Sequence, residues 1–174
     1  EEALRHFRQA VEIYPEFDSG HNMIGAALLA QGQLQEAEES LLLALKQNPE
    51  LSVAHYNLGR TYLKGEQFSK ANASLTQAVR ANPANASYQL FLGMAHYSSG
   101  LFEEAHEDFE RALELRSNWG EAHRLLGFAL LQLGRKEEGI PHLREALKLN
   151  PKASWASEVQ AALNAYGVRP GPVR

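Results

Sequence analysis

Apolar and small residues return along this chain at helical rather than strand spacing, and the whole pattern then recurs every 34 residues. The first half of each unit carries Ile24-Gly25, Leu58-Gly59, Leu92-Gly93 or Leu126-Gly127, and the second half carries Ala37, Ala71, Ala105 or Gly139. Further alanines recur at Ala10, Ala44, Ala78, Ala112 and Ala146. Larger residues surround these small ones: Leu28, Tyr62, His96 and Leu130 in the first halves, and Phe7, Leu41, Leu75, Phe109 and Leu143 in the second. The spacing puts them on one helical face. Two helices joined by a short turn cross closely only where the facing residues are small, so each unit reads as an antiparallel helix pair.

Prolines and glycines punctuate the same period. Pro15, Pro49, Pro83 and Pro151 stand on one ladder, whose missing rung is Ser117. Three follow an asparagine, a pair that ends a helix and begins a turn. Gly32, Gly65, Gly100 and Gly134 are expected to close the first helices in the left-handed conformation that glycine adopts cheaply. Gly65 lies one place early in the register, so a slightly different turn is expected there. Pro141 is expected to mark a late start of its helix, not a kink.

These residues resemble the tetratricopeptide repeat family. His21-x2-Ile24-Gly25-x2-Leu28 and His55-x2-Leu58-Gly59-x2-Tyr62 match its signature, followed by Ala-x3-Leu or Ala-x3-Phe and the closing proline. One departure is that the aromatic usual at the head of the motif is replaced by His21, His55, Gln89 and His123, which is expected to loosen packing there. The resemblance covers nearly the whole chain and implies an all-α fold. It implies a right-handed superhelical solenoid of antiparallel helix pairs, with about ten helices.

In that frame residues 1–17 are the second helix of a truncated repeat, and 18–51, 52–85, 86–119 and 120–153 are repeats 1 to 4. Residues 154–166 form a C-terminal capping helix, with Trp155, Val159 and Leu163 inward and Ser154, Ser157 and Glu158 toward water. Residues 167–174, with Pro170 and Pro172, are expected to be a mobile tail. The start within a repeat and without methionine leads us to expect a piece of a longer protein. Leu4, Val11 and Ile13 would then be partly uncovered at the front.

If Ile24, Gly25 and Leu28 point into the helix pair, a rotation of about 100° per residue places Asn22, Met23, Ala26 and Ala30 on the other side. The corresponding sets are Tyr56, Asn57, Arg60 and Lys64; Leu90, Phe91, Met94 and Ser98; and Arg124, Leu125, Phe128 and Gln132. In tetratricopeptide proteins the first helices line the concave groove, so the resemblance makes this face the candidate binding surface. Its middle is apolar: Leu90, Phe91, Met94, Leu125 and Phe128 are flanked by Tyr56, Tyr97, Arg60 and Arg124. That make-up suits a helix or extended peptide better than bulk water. With Met23 and Asn57 added, these eleven residues are the candidate partner-binding groove. The lysine-asparagine-arginine clamp with which one family subset grips chaperone termini is missing: its places read Asn22, Ala26, Asn57, Ser87 and Phe91 in one frame. Nor is there the asparagine ladder of some other members, since Met23, Phe91 and Leu125 interrupt it.

Composition narrows the alternatives. A formal charge of −4 argues against a phosphate-binding surface, and hence against nucleic acid. The absence of cysteine excludes disulfides, thiolate zinc sites and cysteine nucleophiles. No stretch approaches the roughly 20 apolar residues of a membrane span, so membrane insertion is not expected. Equivalent histidines in neighbouring repeats lie about 10 Å or more apart, whereas zinc ligands stand near 2 Å from one ion, so no metal or other cofactor is expected. His106-Glu107 begins like a zinc-protease helix, yet Glu110 stands where the second histidine belongs. No catalytic residues are assigned and no enzyme is expected. The expected function is an interaction scaffold or adaptor that binds a protein or peptide through an apolar segment. The alternatives are homo-oligomerisation, and a docking arm of an enzyme whose catalytic domain lies elsewhere.

Overall fold

The computed structural model describes residues 2–167, apart from the side chain of Ala3. Among these residues there are ten helices and no strand. They are α1 (Glu2–Ile13), α2 (Asp18–Gln31), α3 (Leu34–Gln47), α4 (Ser52–Lys64), α5 (Phe68–Ala81), α6 (Ala86–Ser98), α7 (Phe102–Leu115), α8 (Gly120–Gln132), α9 (Lys136–Leu149) and α10 (Ala156–Ala165). Each helix packs chiefly on its neighbours in sequence, and α2, α4, α6 and α8 also touch one another in series. The result is an all-α solenoid. The part of the expected tail from residue 168 onward lies outside the described residues.

One crossing recurs in every pair. A Cβ built on Gly25 would meet Leu41 at 2.5 Å; on Gly59, Leu75 at 2.4 Å; on Gly93, Phe109 at 2.6 Å; and on Gly127, Leu143 at 2.6 Å. In each case the large partner lies on the second helix and is fully buried. Burying one such side chain contributes roughly 1.5–3 kcal/mol, and the glycine opposite lets it fit without overpacking.

The turn after α4 corrects the sequence reading. Gly65 has φ −89°, and Glu66 takes the left-handed place with φ 56°. The Gln67 amide donates to the Tyr62 carbonyl at 2.9 Å, just as that of Gln33 donates to Leu28 at 3.0 Å and that of Arg135 to Leu130 at 2.9 Å. The turn is therefore the same in each pair. The repeat register, not the local glycine, selects the residue that adopts positive φ.

Pro141 corrects it a second time. Helix α9 starts at Lys136, in register with the other second helices, and Pro141 sits inside it. The helix does not start late; it forgoes one ladder bond instead. At the front, Leu4 is buried against Ile24, Leu28, Leu29 and Ala37, while Ile13 is 69% exposed. Leu4 is thus covered by α2 and α3. At the far end Val159 and Leu163 are buried against Leu143, with Trp155 and Phe128 packed beside them.

Candidate functional site

The face formed by the first helices holds an open cavity of about 530 Å³ between α2, α4 and α6. Ala26, Leu29 and Ala30 line it from α2, Arg60, Leu63 and Lys64 from α4, and Phe91, Met94 and Ser98 from α6. Small residues on α2 leave the space, and larger apolar ones on α6 form the opposite wall. Arg60 lies over two rings, 5.3 Å from the centroid of Tyr56 and 5.4 Å from that of Phe91. Those rings meet edge to face at 5.2 Å, and Tyr56 also packs on Tyr88 at 4.8 Å.

Beneath Arg60 runs a polar chain. Its Nη1 donates to Oδ1 of Asn57 at 3.4 Å, and Nδ2 of Asn57 donates to Oδ1 of Asn22 at 3.0 Å. Both asparagines are buried, so Asn57 acts on the groove by holding Arg60 and by bridging α4 to α2. Leu90 and Leu125 are 2% and 8% exposed and belong to the core. Met23 lies exposed on α2 outside the cavity lining, and Tyr97 packs edge to face on Phe102 at 5.2 Å. Arg124 and Phe128 stand apart at α8: the arginine makes two hydrogen bonds to Glu121 and lies 3.6 Å from Glu158, while Phe128 packs with the α10 cluster. Of the eleven sequence-expected residues, then, Tyr56, Asn57, Arg60, Phe91 and Met94 come together around the cavity.

Leu29 and Leu63 also line the cavity and stand outside the sequence-expected set. They follow Ala26 and Arg60 by three residues, so the helical spacing of neighbours on one face was the signal available.

A family profile described as "Tetratricopeptide repeat" matches residues 1–52, 56–119 and 95–154, which is most of the chain. The chain belongs to the tetratricopeptide repeat family. No match is found among curated proteins. Among solved structures it is similar to MamA 41-end from Desulfovibrio magneticus RS-1, at 25% identity over 88% of this chain and 86% of that one, with a TM-score of 0.79. A MamA RS-1 double mutant gives 26% identity over 86% and 84%, with a TM-score of 0.80. A MamA from AMB-1 gives 29% over 91% and 93%, with a TM-score of 0.71. Family and neighbours together support a protein–protein interaction scaffold, of a repeat type that is typically non-enzymatic.

Tetratricopeptide units normally place an aromatic where this chain has histidine, and the geometry shows what the histidine does instead. Nε2 of His21, His55 and His123 meets the carbonyl six residues upstream, on Pro15, Pro49 and Ser117, at 2.9, 2.8 and 3.1 Å. Each imidazole thus latches the incoming turn to its first helix. Gln89 at the equivalent place leaves a buried Oε1 without a partner. His123 also faces His142 on α9, Nδ1 to Nδ1 at 2.9 Å, with the rings stacked at 5.2 Å. Because Nε2 of His123 donates to Ser117, its neutral Nδ1 accepts, and His142 must supply the Nδ1–H. Among the described residues no group of three or more His, Cys, Asp or Glu is placed to hold a metal ion.

Proposed function

We propose that the concave face between α2 and α6 holds an apolar segment of a partner protein, most naturally a helix. The observation supporting this reading is the cavity, walled by Leu63, Phe91 and Met94 and floored by the small residues Ala26 and Ala30. Apolar walls around an open space gain free energy when water is displaced, and aromatic and methionine side chains are the usual anchors of such sites. Phe91→Glu and Met94→Glu put a charge in that wall. Peptides selected on the wild-type protein from a random display library should bind either variant about 30-fold more weakly or worse, with the array still folded at the assay temperature. Retained binding sinks this placement of the site.

Self-assembly is a second reading, favoured by a different observation. Ile13 and Tyr14 are 69% and 68% exposed, and Phe17 beside them is 40% exposed. Apolar surface gathered at one place invites cover by a second copy. Light scattering over a concentration series tests it: a mass that stays monomeric at the highest concentration removes this reading.

A further inference from the structure

We infer that the segment held in this groove carries an aspartate or glutamate beside its apolar anchor, and that Arg60 reads that carboxylate. This rests on the groove reading above and adds the partner's chemistry to it. The cavity lining contains two cations, Arg60 and Lys64, and no carboxylate, in a chain whose formal charge is −4. Among the described residues neither cation forms an ion pair. Arg60 uses one N–H on Asn57 and rests on two rings, so its guanidinium is held in place with donors to spare.

Desolvation decides between an uncharged and an acidic partner. An apolar segment seated on Phe91 and Met94 would strip water from Arg60, which lies against Phe91. A cation taken from water without a counter-charge opposes binding, whereas a carboxylate in the fork of the guanidinium offsets that cost. Lys64 adds a second positive charge at the same rim.

The chain already makes this arrangement once with its own residues. Arg124 lies over Phe128 and Trp155, at 6.0 and 5.7 Å, and is met by Glu158 of α10 at 3.6 Å while Val159 of the same helix is buried alongside. There the guanidinium over aromatic rings is hydrogen-bonded to Glu121 on its own helix, and a second carboxylate comes from a packed helix that presents it next to an apolar residue. Arg60 has the rings and lacks the helix. We therefore assign the occupant as an internal segment with an acidic side chain, not a chain terminus.

The probe is a random dodecapeptide library displayed with its C-terminus fused, so that only side-chain carboxylates are offered. Selected sequences should pair Asp or Glu with a neighbouring large apolar residue. For synthetic, C-terminally amidated versions, Arg60→Met should weaken binding about 10- to 100-fold. Arg60→Lys should fall between, and Arg111→Met, off the groove, should change nothing. Replacing the peptide's acidic residue by its amide should cost as much on wild type and almost nothing on Arg60→Met, a coupling that loss of folding does not imitate. Apolar sequences without acid enrichment, or binding indifferent to Arg60→Met, overturn the inference and leave the groove reading intact. Binding that requires a free C-terminal carboxylate also overturns it. No selected peptide sensitive to Phe91→Glu overturns both.

Discussion

The two ends of the first-helix face carry the same device in different states. At α8 an arginine lying over aromatic rings is answered within the chain, by Glu121 on its own helix and by Glu158 on α10. At α4 an arginine lying over aromatic rings opens on a cavity with no acidic group in its walls. The difference lies in the residue one turn before each arginine, Glu121 against Asn57, and in the helices packed beside it. Helix α10 lays Val159 and Leu163 against Leu143, and so brings Glu158 to Arg124. Between α2 and α6 the corresponding space has Ala26 and Ala30 on its α2 side and stays open. A positive side chain on a repeat face is thus an unspent binding element only where the array's own helices leave it unanswered.

The largest expected effect comes from breaking the closed end. Val159 is fully buried, and Val159→Asp puts a carboxylate where nothing can pair with it, at a cost on the order of 3 kcal/mol or more. A helix as short as α10, at ten residues, does not hold without its packing. Hydrogen exchange should show α10 losing protection and the last turns of α8 and α9 loosening, while α2 to α6 stay protected. Nearest-neighbour packing predicts that separation. Protection lost equally through α2 to α6 would mean that the two ends form one cooperative unit, and the comparison between them would fail.

The sequence made the closed end easier to read than the open one. Period, crossing glycines and the inward set Val159 and Leu163 are legible from spacing alone, because one register position does the same job in every copy. Exposure on the groove face is not set by register. Met23, Asn57, Phe91 and Leu125 share one repeat position, yet Met23 is exposed, Phe91 half-buried, and Asn57 and Leu125 buried. Each depends on the neighbouring first helix and on how much space its residues leave. The Asn57–Asn22 bond spans 35 residues, and Glu158 reaches Arg124 from a helix outside the four repeats. At Gly65 the residue type itself misled, since the turn's geometry belongs to the position that Glu66 fills.

Acidification is expected to act on the closed end with a smaller effect. Burial, and then the repulsion that protonation of its neighbour His123 would add, hold His142 below the ordinary histidine value of 6.5. His106 adds to this, while Glu110 and Glu138 oppose it. The unfolded chain then takes up a proton more readily than the folded one, so stability present at neutral pH is lost as pH falls through about 6.5. One joint earlier the direction reverses. The hydrogen bond with Asp108, at 2.7 Å, raises His96 against the effect of burial, so that histidine's contribution is present at acid pH and lost as pH rises through its raised value. Thermal midpoints across pH should show His142→Gln flattening the acid limb and His96→Gln flattening the other. The same slope in both variants would remove this distinction.

The smallest expected effect on stability gives the most direct test, because it makes the open end resemble the closed one. Ala30 is exposed on the last turn of α2 and lines the cavity that Arg60 and Lys64 border. The Lys64 ammonium already reaches within 3.7 Å of where a side chain on Gly32 would begin, so a glutamate on that turn has a cation within range. Ala30→Glu supplies the missing carboxylate, as Glu158 does for Arg124. An acidic residue near a helix C-terminus is mildly unfavourable and an exposed ion pair mildly favourable, so stability should change by less than about 1 kcal/mol. Binding should respond much more: acidic peptides held by the wild-type groove should weaken about 10-fold, less so at high salt, and Ala30→Gln should leave most of their affinity. If Ala30→Gln weakens them equally, obstruction is the cause and not charge. The two arginines would then differ only in the room beside them.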